Sequence, residues 1–274
     1  MISQKNILIT GGSSGIGRHL AASLLKNNNK VIIASNNQSG LQHAVRELRN
    51  ISPNIFSYFV DVNIVDSVHS LSEALLCEHE CPDILVNCAG FATYRTFEES
   101  PIEEIEQLVG VNLLGAMRCT HSFLPMMIAR GNGSIVNMAS IAGKLVMTPN
   151  GVYSASKHGL VAWSETLRYE LARFNINVFV ICPGRVETAF FDHETFRTRA
   201  SRVETQLTTS VEEVSRKTIS AIEKKKFLTF VPSYYGLLIW LINTFSWFSK
   251  PIYGKLLSSR IEAFYIAKNK SERN

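Results

Sequence analysis

The chain has 274 residues, 46% of them hydrophobic and 19% charged, with a formal net charge of +5. That composition excludes a disordered or fibrous protein and provides for a core large enough to enclose a ligand. The basic excess is small and, apart from Lys224, Lys225 and Lys226, scattered, so nucleic acid is not an expected partner.

Short apolar runs alternate with amphipathic stretches from the start. Residues 7–10 read as a buried strand, entered from residues 1–6 with none of the features of a secretory signal; a cytoplasmic protein is expected. A glycine-rich turn follows. Residues 15–27 have helical spacing, with Ile16, Leu20 and Leu24 on one side. Strands are expected at 31–34, 55–60, 84–87, 134–138 and 176–181, and helices at 39–50 and 64–80. A long helix should open at Pro101 and stop near Arg130, before Gly131 and Gly133. Another spans 151–173. Continuous apolar strands separated by amphipathic helices predict an α/β fold, a doubly wound parallel sheet of Rossmann type with helices on both faces. No repeat or linker interrupts residues 1–226, read as one catalytic and dinucleotide-binding domain. The stretch 190–210, with Phe190, Phe191 and Phe196 among Thr, Arg and Glu, reads as a mobile flap rather than core.

The turn is Thr10-Gly11-Gly12-Ser13-Ser14-Gly15-Ile16-Gly17. Between a strand and a helix, glycines let the backbone approach a pyrophosphate, which the helix N-terminus then attracts. Further motifs follow in order: Asp61-Val62 after the third strand, Asn87-Cys88-Ala89-Gly90 at the end of the fourth, Asn112 in the long helix, Ser140 after the fifth. Tyr153-Ser154-Ala155-Ser156-Lys157 then opens a helix, and Pro183-Gly184 precedes Val186 and Thr188. Over roughly residues 5–225 the chain resembles the short-chain dehydrogenase/reductase superfamily. The resemblance implies an oxidoreductase that moves a hydride between a nicotinamide dinucleotide and a carbonyl or secondary alcohol.

Tyr153 and Lys157 are four apart and share a helix face. A lysine ammonium beside a phenol favours the phenolate and lowers its pKa. Ser140, at a strand's carboxyl end, can reach the same place. Hydride transfer to a carbonyl develops negative charge on oxygen: Ser140 would donate to it, and Tyr153 would deliver or remove the proton. The resemblance adds that Lys157 holds the nicotinamide ribose and that Asn112 completes a proton relay; a helix-stabilising amide is the other reading of Asn112. His158 adjoins Lys157 but points away from Tyr153, and no G-x-S-x-G elbow supports a hydrolase.

The resemblance also assigns cofactor contacts. Asp61 and the backbone of Val62 would meet the adenine, unless Asp61 is a turn or capping residue. Asn87, Ala89 and Gly90 would pack against the ribose, and Pro183, Gly184, Val186 and Thr188 would line the nicotinamide end. At the end of the second strand, Ser35 stands where NAD-preferring relatives carry an acid, and Asn36 where NADP-preferring ones carry arginine; Ser14 also replaces a basic residue. Nothing at these positions repels a 2′-phosphate, which favours NADP over NAD. Phe91, Ala92, Thr93, Tyr94, residues 144–147 (including Met147), Phe190 and Phe191 would line the substrate site, unless they close the core. Such a lining suits a hydrophobic ketone or alcohol: acyl, lipid or steroid-like.

Residues 227–231 are expected to add a seventh strand, within a segment, 227–274, whose first part to 249 is uncharged and rich in aromatics. Its apolar run 236–248 is shorter than the roughly 20 residues that span a bilayer. Three roles stay open: an interfacial helix in peripheral contact with a membrane, packing against the domain or a second subunit, and a transmembrane helix. The resemblance implies a homodimer or homotetramer built from the two long helices. The five cysteines are odd in number, and only Cys77 and Cys81 are close together, so buried reduced thiols and no metal site are expected. The alternatives in function are a non-catalytic redox sensor and a dehydratase or epimerase on the same fold.

Overall fold

The computed structural model describes residues 1–78, 81–186, 188, 190, 194–199 and 208–271. Strands β1 (Asn6–Thr10), β2 (Lys30–Ser35), β3 (Ile55–Phe59), β4 (Ile84–Asn87), β5 (Gly133–Met138) and β6 (Ile176–Pro183) are parallel. Strands β7 (Arg185–Val186) and β8 (Thr208–Thr209) pair with each other, and β9 (Leu228–Val231) pairs with β6, the seventh strand expected there. The main sheet has the order β3-β2-β1-β4-β5-β6-β9. The helices are α1 (Gly15–Leu25), α2 (Gln38–Arg49), α3 (Val65–Cys77), α4 (Ile102–Val109), α5 (Gly115–Arg130), α6 (Gly151–Leu171), α7 (Glu194–Arg199), α8 (Val211–Glu223), α9 (Tyr234–Thr244) and α10 (Ser246–Ser271).

Side-chain alternation along the strands supplies two apolar faces. Ile7 and Ile9 of β1 and Val31 and Ile33 of β2 join one core, capped by α1, α2 and α8. Leu8 and Ile32 point the other way, into a core closed by α3, α5 and α6. A sheet buried on both faces is why its strands read as unbroken apolar runs.

The single helix expected over 101–130 is two helices. Pro101 caps α4, which passes into a π turn over Gly110–Leu114 before α5 begins. The bracketing glycines explain the turn. A Cβ on Gly110 would overlap the amide of Asn63, and one on Gly115 would lie 2.7 Å from Val62. Arg118 Nη1 donates to the carbonyls of Gly110 (3.1 Å) and Val62 (3.2 Å), satisfying oxygen at the widened turn.

The expectation that 190–210 stands away from the core needs correcting at Thr195 and Phe196, while 191–193 and 200–207 lie outside the described residues. Phe196 is buried against Tyr94 and Phe264, and Thr195 Oγ1 accepts from the Tyr94 amide at 2.9 Å. The local composition is polar, but these two side chains find partners about a hundred residues away in sequence. Phe191 lies outside the described residues. Among the described residues no helix is long and apolar enough to cross a membrane.

Candidate active site

Where the sheet order reverses, between β1 and β4, a cavity of about 990 Å³ opens at the carboxyl ends of the strands. The glycine turn forms one wall. Gly11 has φ +67°, and a Cβ there would sit 2.8 Å from the backbone of Ala89. Thr10 is buried beneath; its Oγ1 accepts from the amides of Cys88 (3.1 Å) and Ala89 (3.2 Å), tying the end of β4 to the turn. Ser14 holds the N-cap position of α1 without a side-chain capping bond, and the first turn carries no acid, so the helix's unpaired N–H groups meet the cavity without a competing carboxylate.

At the second-strand end, Ser13 Oγ donates to Ser35 Oγ at 3.0 Å, and Ser35 Oγ accepts from the Asn37 amide at 3.2 Å. Asp61 is anchored by the Asn63 amide (2.9 Å) and lies 3.4 Å from the Asn36 side-chain nitrogen. These groups fit a dinucleotide: bare backbone where a pyrophosphate lies close, then hydroxyls and amides for ribose and base.

The opposite wall carries the candidate chemistry. Ser140, two residues beyond the end of β5, accepts from the Ala142 amide at 3.1 Å, which fixes its hydroxyl as the cap of a short turn. Tyr153 and Lys157 are one turn apart on α6, with the lysine nitrogen 5.8 Å from the tyrosine ring centre. Phe190 packs edge-on against Tyr153 at 5.9 Å. Burial pushes the Tyr153 phenol up to about 12, and a hydrogen bond with Ser140 pulls against that rise. Burial likewise pushes Lys157 down to about 8. The sequence suggested that the ammonium would make the phenol acidic. Burial instead sets the direction of its shift, and the ammonium donates to Met138 O at 2.9 Å. His158 bonds Ser154 O at 2.8 Å through Nδ1.

Apart from Thr10, Gly12, Asn87 and Asn112, every residue singled out above for catalysis, cofactor or substrate and present among the described residues of the turn, strand ends and α6 lines this one cavity, as do Phe91, Ala92, Tyr94, Met147 and Phe190. Thr93 and residues 144–146 do not line it. Asn87 is a buried tie, donating to Thr120 Oγ1 (3.1 Å) and Asn137 Oδ1 (2.8 Å). Asn112, in the π turn, clasps residue 91: its Oδ1 accepts from the Phe91 amide at 2.9 Å and its Nδ2 donates to Phe91 O at 2.8 Å. A Cβ on Gly90 would lie 2.8 Å from Asn112 Oδ1 and 3.6 Å from Lys157 Nζ, so that glycine lets both side chains approach.

Sequence reading missed the wall supplied by α10. Leu256, Ser259, Ala263 and Phe264 all line the cavity, and no motif marks them. Two of the thiols expected to be buried lie near Lys157, and burial raises them, Cys88 to about 11 and Cys182 to about 12. All five cysteines are free, and Cys77 is exposed rather than buried.

Residues 5–198 match the family described as short chain dehydrogenase. The chain is 34% identical over 224 residues to the ketoacyl reductase HetN of Nostoc sp., covering 82% of this chain and 77% of that protein. It is 37% identical over 183 residues to a putative ketoacyl reductase of Streptomyces coelicolor, covering 66% and 70%. Among solved structures it superimposes on a short-chain dehydrogenase/reductase from Burkholderia phymatum in complex with NAD, with TM-score 0.80, 27% identity and coverage of 89% and 95%. It also superimposes on a single-site variant of actinorhodin polyketide ketoreductase with NADPH, with TM-score 0.74, 32% identity and coverage of 81% and 92%. With the glycine turn facing Ser140, Tyr153 and Lys157 across one cavity, these matches show that the chain belongs to the short-chain dehydrogenase/reductase family of nicotinamide-dependent oxidoreductases.

Proposed function

We propose that this protein reduces a ketone on a hydrophobic, acyl-like substrate with NADPH, or runs the reverse oxidation, with Tyr153 as the proton-transfer group. One observation carries the reading: Ser140, Tyr153 and Lys157 face the glycine turn across a single cavity. When bound, the dinucleotide supplies or takes up the hydride. Ser140 orients the substrate oxygen, and Tyr153, held protonated by burial, is the acid that reduction requires. Lys157 places positive charge behind the phenol as it gives up its proton.

The substrate end is apolar, with Phe91, Ala92, Tyr94, Met147, Phe190 and Phe264. Two relatives bear the name ketoacyl reductase, which suits such a wall. NADPH rather than NADH is supported by the hydroxyls and amides of Ser35, Asn36 and Asn37, with no acid among them. The carboxylate of Asp61 is close, but it is met by the Asn63 amide and the Asn36 side chain.

A panel of ketones, followed through nicotinamide absorbance, tests the proposal. Turnover should be greatest with long-chain ketones, with KM for NADPH at least about tenfold below that for NADH, the size of one lost charge-assisted contact. Faster turnover of small polar sugars would overturn the substrate assignment; a preference for NADH of about tenfold would overturn the cofactor assignment.

A further inference from the structure

A helix packed on a core turns its apolar stripe inward. In α9 the stripe Tyr234, Leu237, Leu238 and Leu241, at positions i, i+3, i+4 and i+7, faces outward; Phe245 extends it and Trp240 flanks it. Leu237 is 62% exposed, while Ile239 is the buried residue of this helix. In α10, Phe248, Ile252 and Leu256, at i, i+4 and i+8, are also exposed, and Trp247 is 80% exposed. The other side of α10 is fastened to the body of the protein. Tyr253 donates to Val146 O at 2.6 Å, Leu257 O accepts from Thr148 Oγ1 at 3.2 Å, and Phe264 is buried against Tyr94. The outward faces are therefore held in place rather than dangling.

Charge distinguishes what could cover them. Between Glu223 and Glu262 the sequence contains no acid, but it contains Lys224, Lys225, Lys226, Lys250 and Lys255, all exposed; Arg260 lines the cavity instead. A second copy seated on these same faces would bring basic residues together with no acid from this segment to pair them. An anionic bilayer surface would neutralise them, while Trp and Tyr settle at the headgroup level. Neither helix is long and apolar enough to cross.

We propose that the outward faces of α9 and α10 dock this protein on an anionic lipid surface, lying in the headgroup region without spanning the bilayer. Leu256 belongs both to the outward stripe and to the cavity wall. Docking would thus bring the cavity's edge to the lipid; that last consequence rests on the proposed substrate reading, whereas docking itself does not.

The test is flotation of the full-length protein with vesicles of phosphatidylcholine alone and of phosphatidylcholine mixed with phosphatidylglycerol. Binding should be at least about tenfold greater to the anionic vesicles, weaken with salt, and shift tryptophan emission to the blue. The combined variant Leu237→Asp, Trp240→Asp, Phe248→Asp should lose at least about tenfold of that binding yet keep its turnover of a soluble ketone. The milder pair Lys250→Glu, Lys255→Glu should lose the anionic preference with the apolar faces intact. No flotation with either vesicle, or equal flotation with both, would overturn the proposal. So would a triple variant that binds vesicles as the parent does. Light scattering without lipid provides a further check: a parent dimer that the triple variant converts to monomer would mean that a second copy covers these faces instead. Turnover in the same samples is read separately, so failure to dock and failure to reduce ketones are distinguishable.

Discussion

Tyr153 and Lys157 show how one environment acts in opposite senses on two groups. Burial disfavours charge, so it raises the phenol to about 12 and lowers the ammonium to about 8. In the proposed mechanism the protonated phenol donates, and the lysine's charge, 5.8 Å from the ring centre, would assist the donation. Tyr153→Phe should therefore reduce kcat about 10²–10⁴-fold while leaving the dissociation constant for NADPH within about twofold, read by single-turnover kinetics and fluorescence titration. Lys157 yields two pH signatures of opposite sign. Ketone reduction should fall as pH rises through about 8, because the ammonium is lost. Stability should do the reverse. Above about 8 the folded chain has released a proton that the unfolded lysine, with its ordinary value of 10.5, still holds, so stability rises with pH. The window closes near pH 9, where unfolded cysteines ionise while Cys88, Cys119 and Cys182, raised to about 11, 12 and 12, stay protonated and stability falls. Urea denaturation from about pH 7 to about pH 9 should show the rise in the parent and not in Lys157→Met; a parallel slope in both would remove Lys157 as its source.

Among the elements, the π turn between α4 and α5 decides where Asn112 goes. A regular helix would carry that amide past residue 91; the widened turn lets it both accept from and donate to the Phe91 backbone. Asn112→Leu would leave a half-buried N–H and C=O of Phe91 without this partner, at no more than roughly 1–3 kcal/mol for each group. The urea midpoint should drop accordingly, and because residue 91 lines the cavity, KM for the ketone should rise as well. An unchanged midpoint would mean that the clasp contributes nothing. Helix α10 acts at longer range. Its Tyr265 donates to Glu98 Oε1 at 2.6 Å and its Phe264 meets Tyr94 with ring centres 5.7 Å apart, so a C-terminal helix completes a wall begun by the loop after β4.

For the molecule taken together, the cavity lies where two cores and the reversal of strand order meet, and a dinucleotide that binds only this folded arrangement must stabilise it. NADPH at about a hundred times its dissociation constant should add about 2.7 kcal/mol. For a protein of this size, that is a rise in Tm of about 5–10 °C, readable by calorimetry, and a Tm unmoved by either nicotinamide would contradict the site. Much of this was legible beforehand because it is written locally. Ile7, Ile9 and their counterparts repeat with the strand period, the glycine turn occupies eight consecutive residues, and Tyr153 and Lys157 sit one helical turn apart. Each signal spans no more than a few turns of chain, the range over which backbone geometry alone relates side chains. Four outcomes were decided only in the folded chain. These are the π turn at Asn112, the burial of Phe196, the direction in which Tyr153 and Lys157 shift, and the wall supplied by Leu256, Ser259, Ala263 and Phe264. Each depends on what distant segments bring alongside: Asn63 and Val62 against the glycines, Tyr94 against Phe196 and Phe264, apolar walls around two ionisable groups. Periodicity records which face of an element is apolar; only packing determines what that face meets and how dry it becomes.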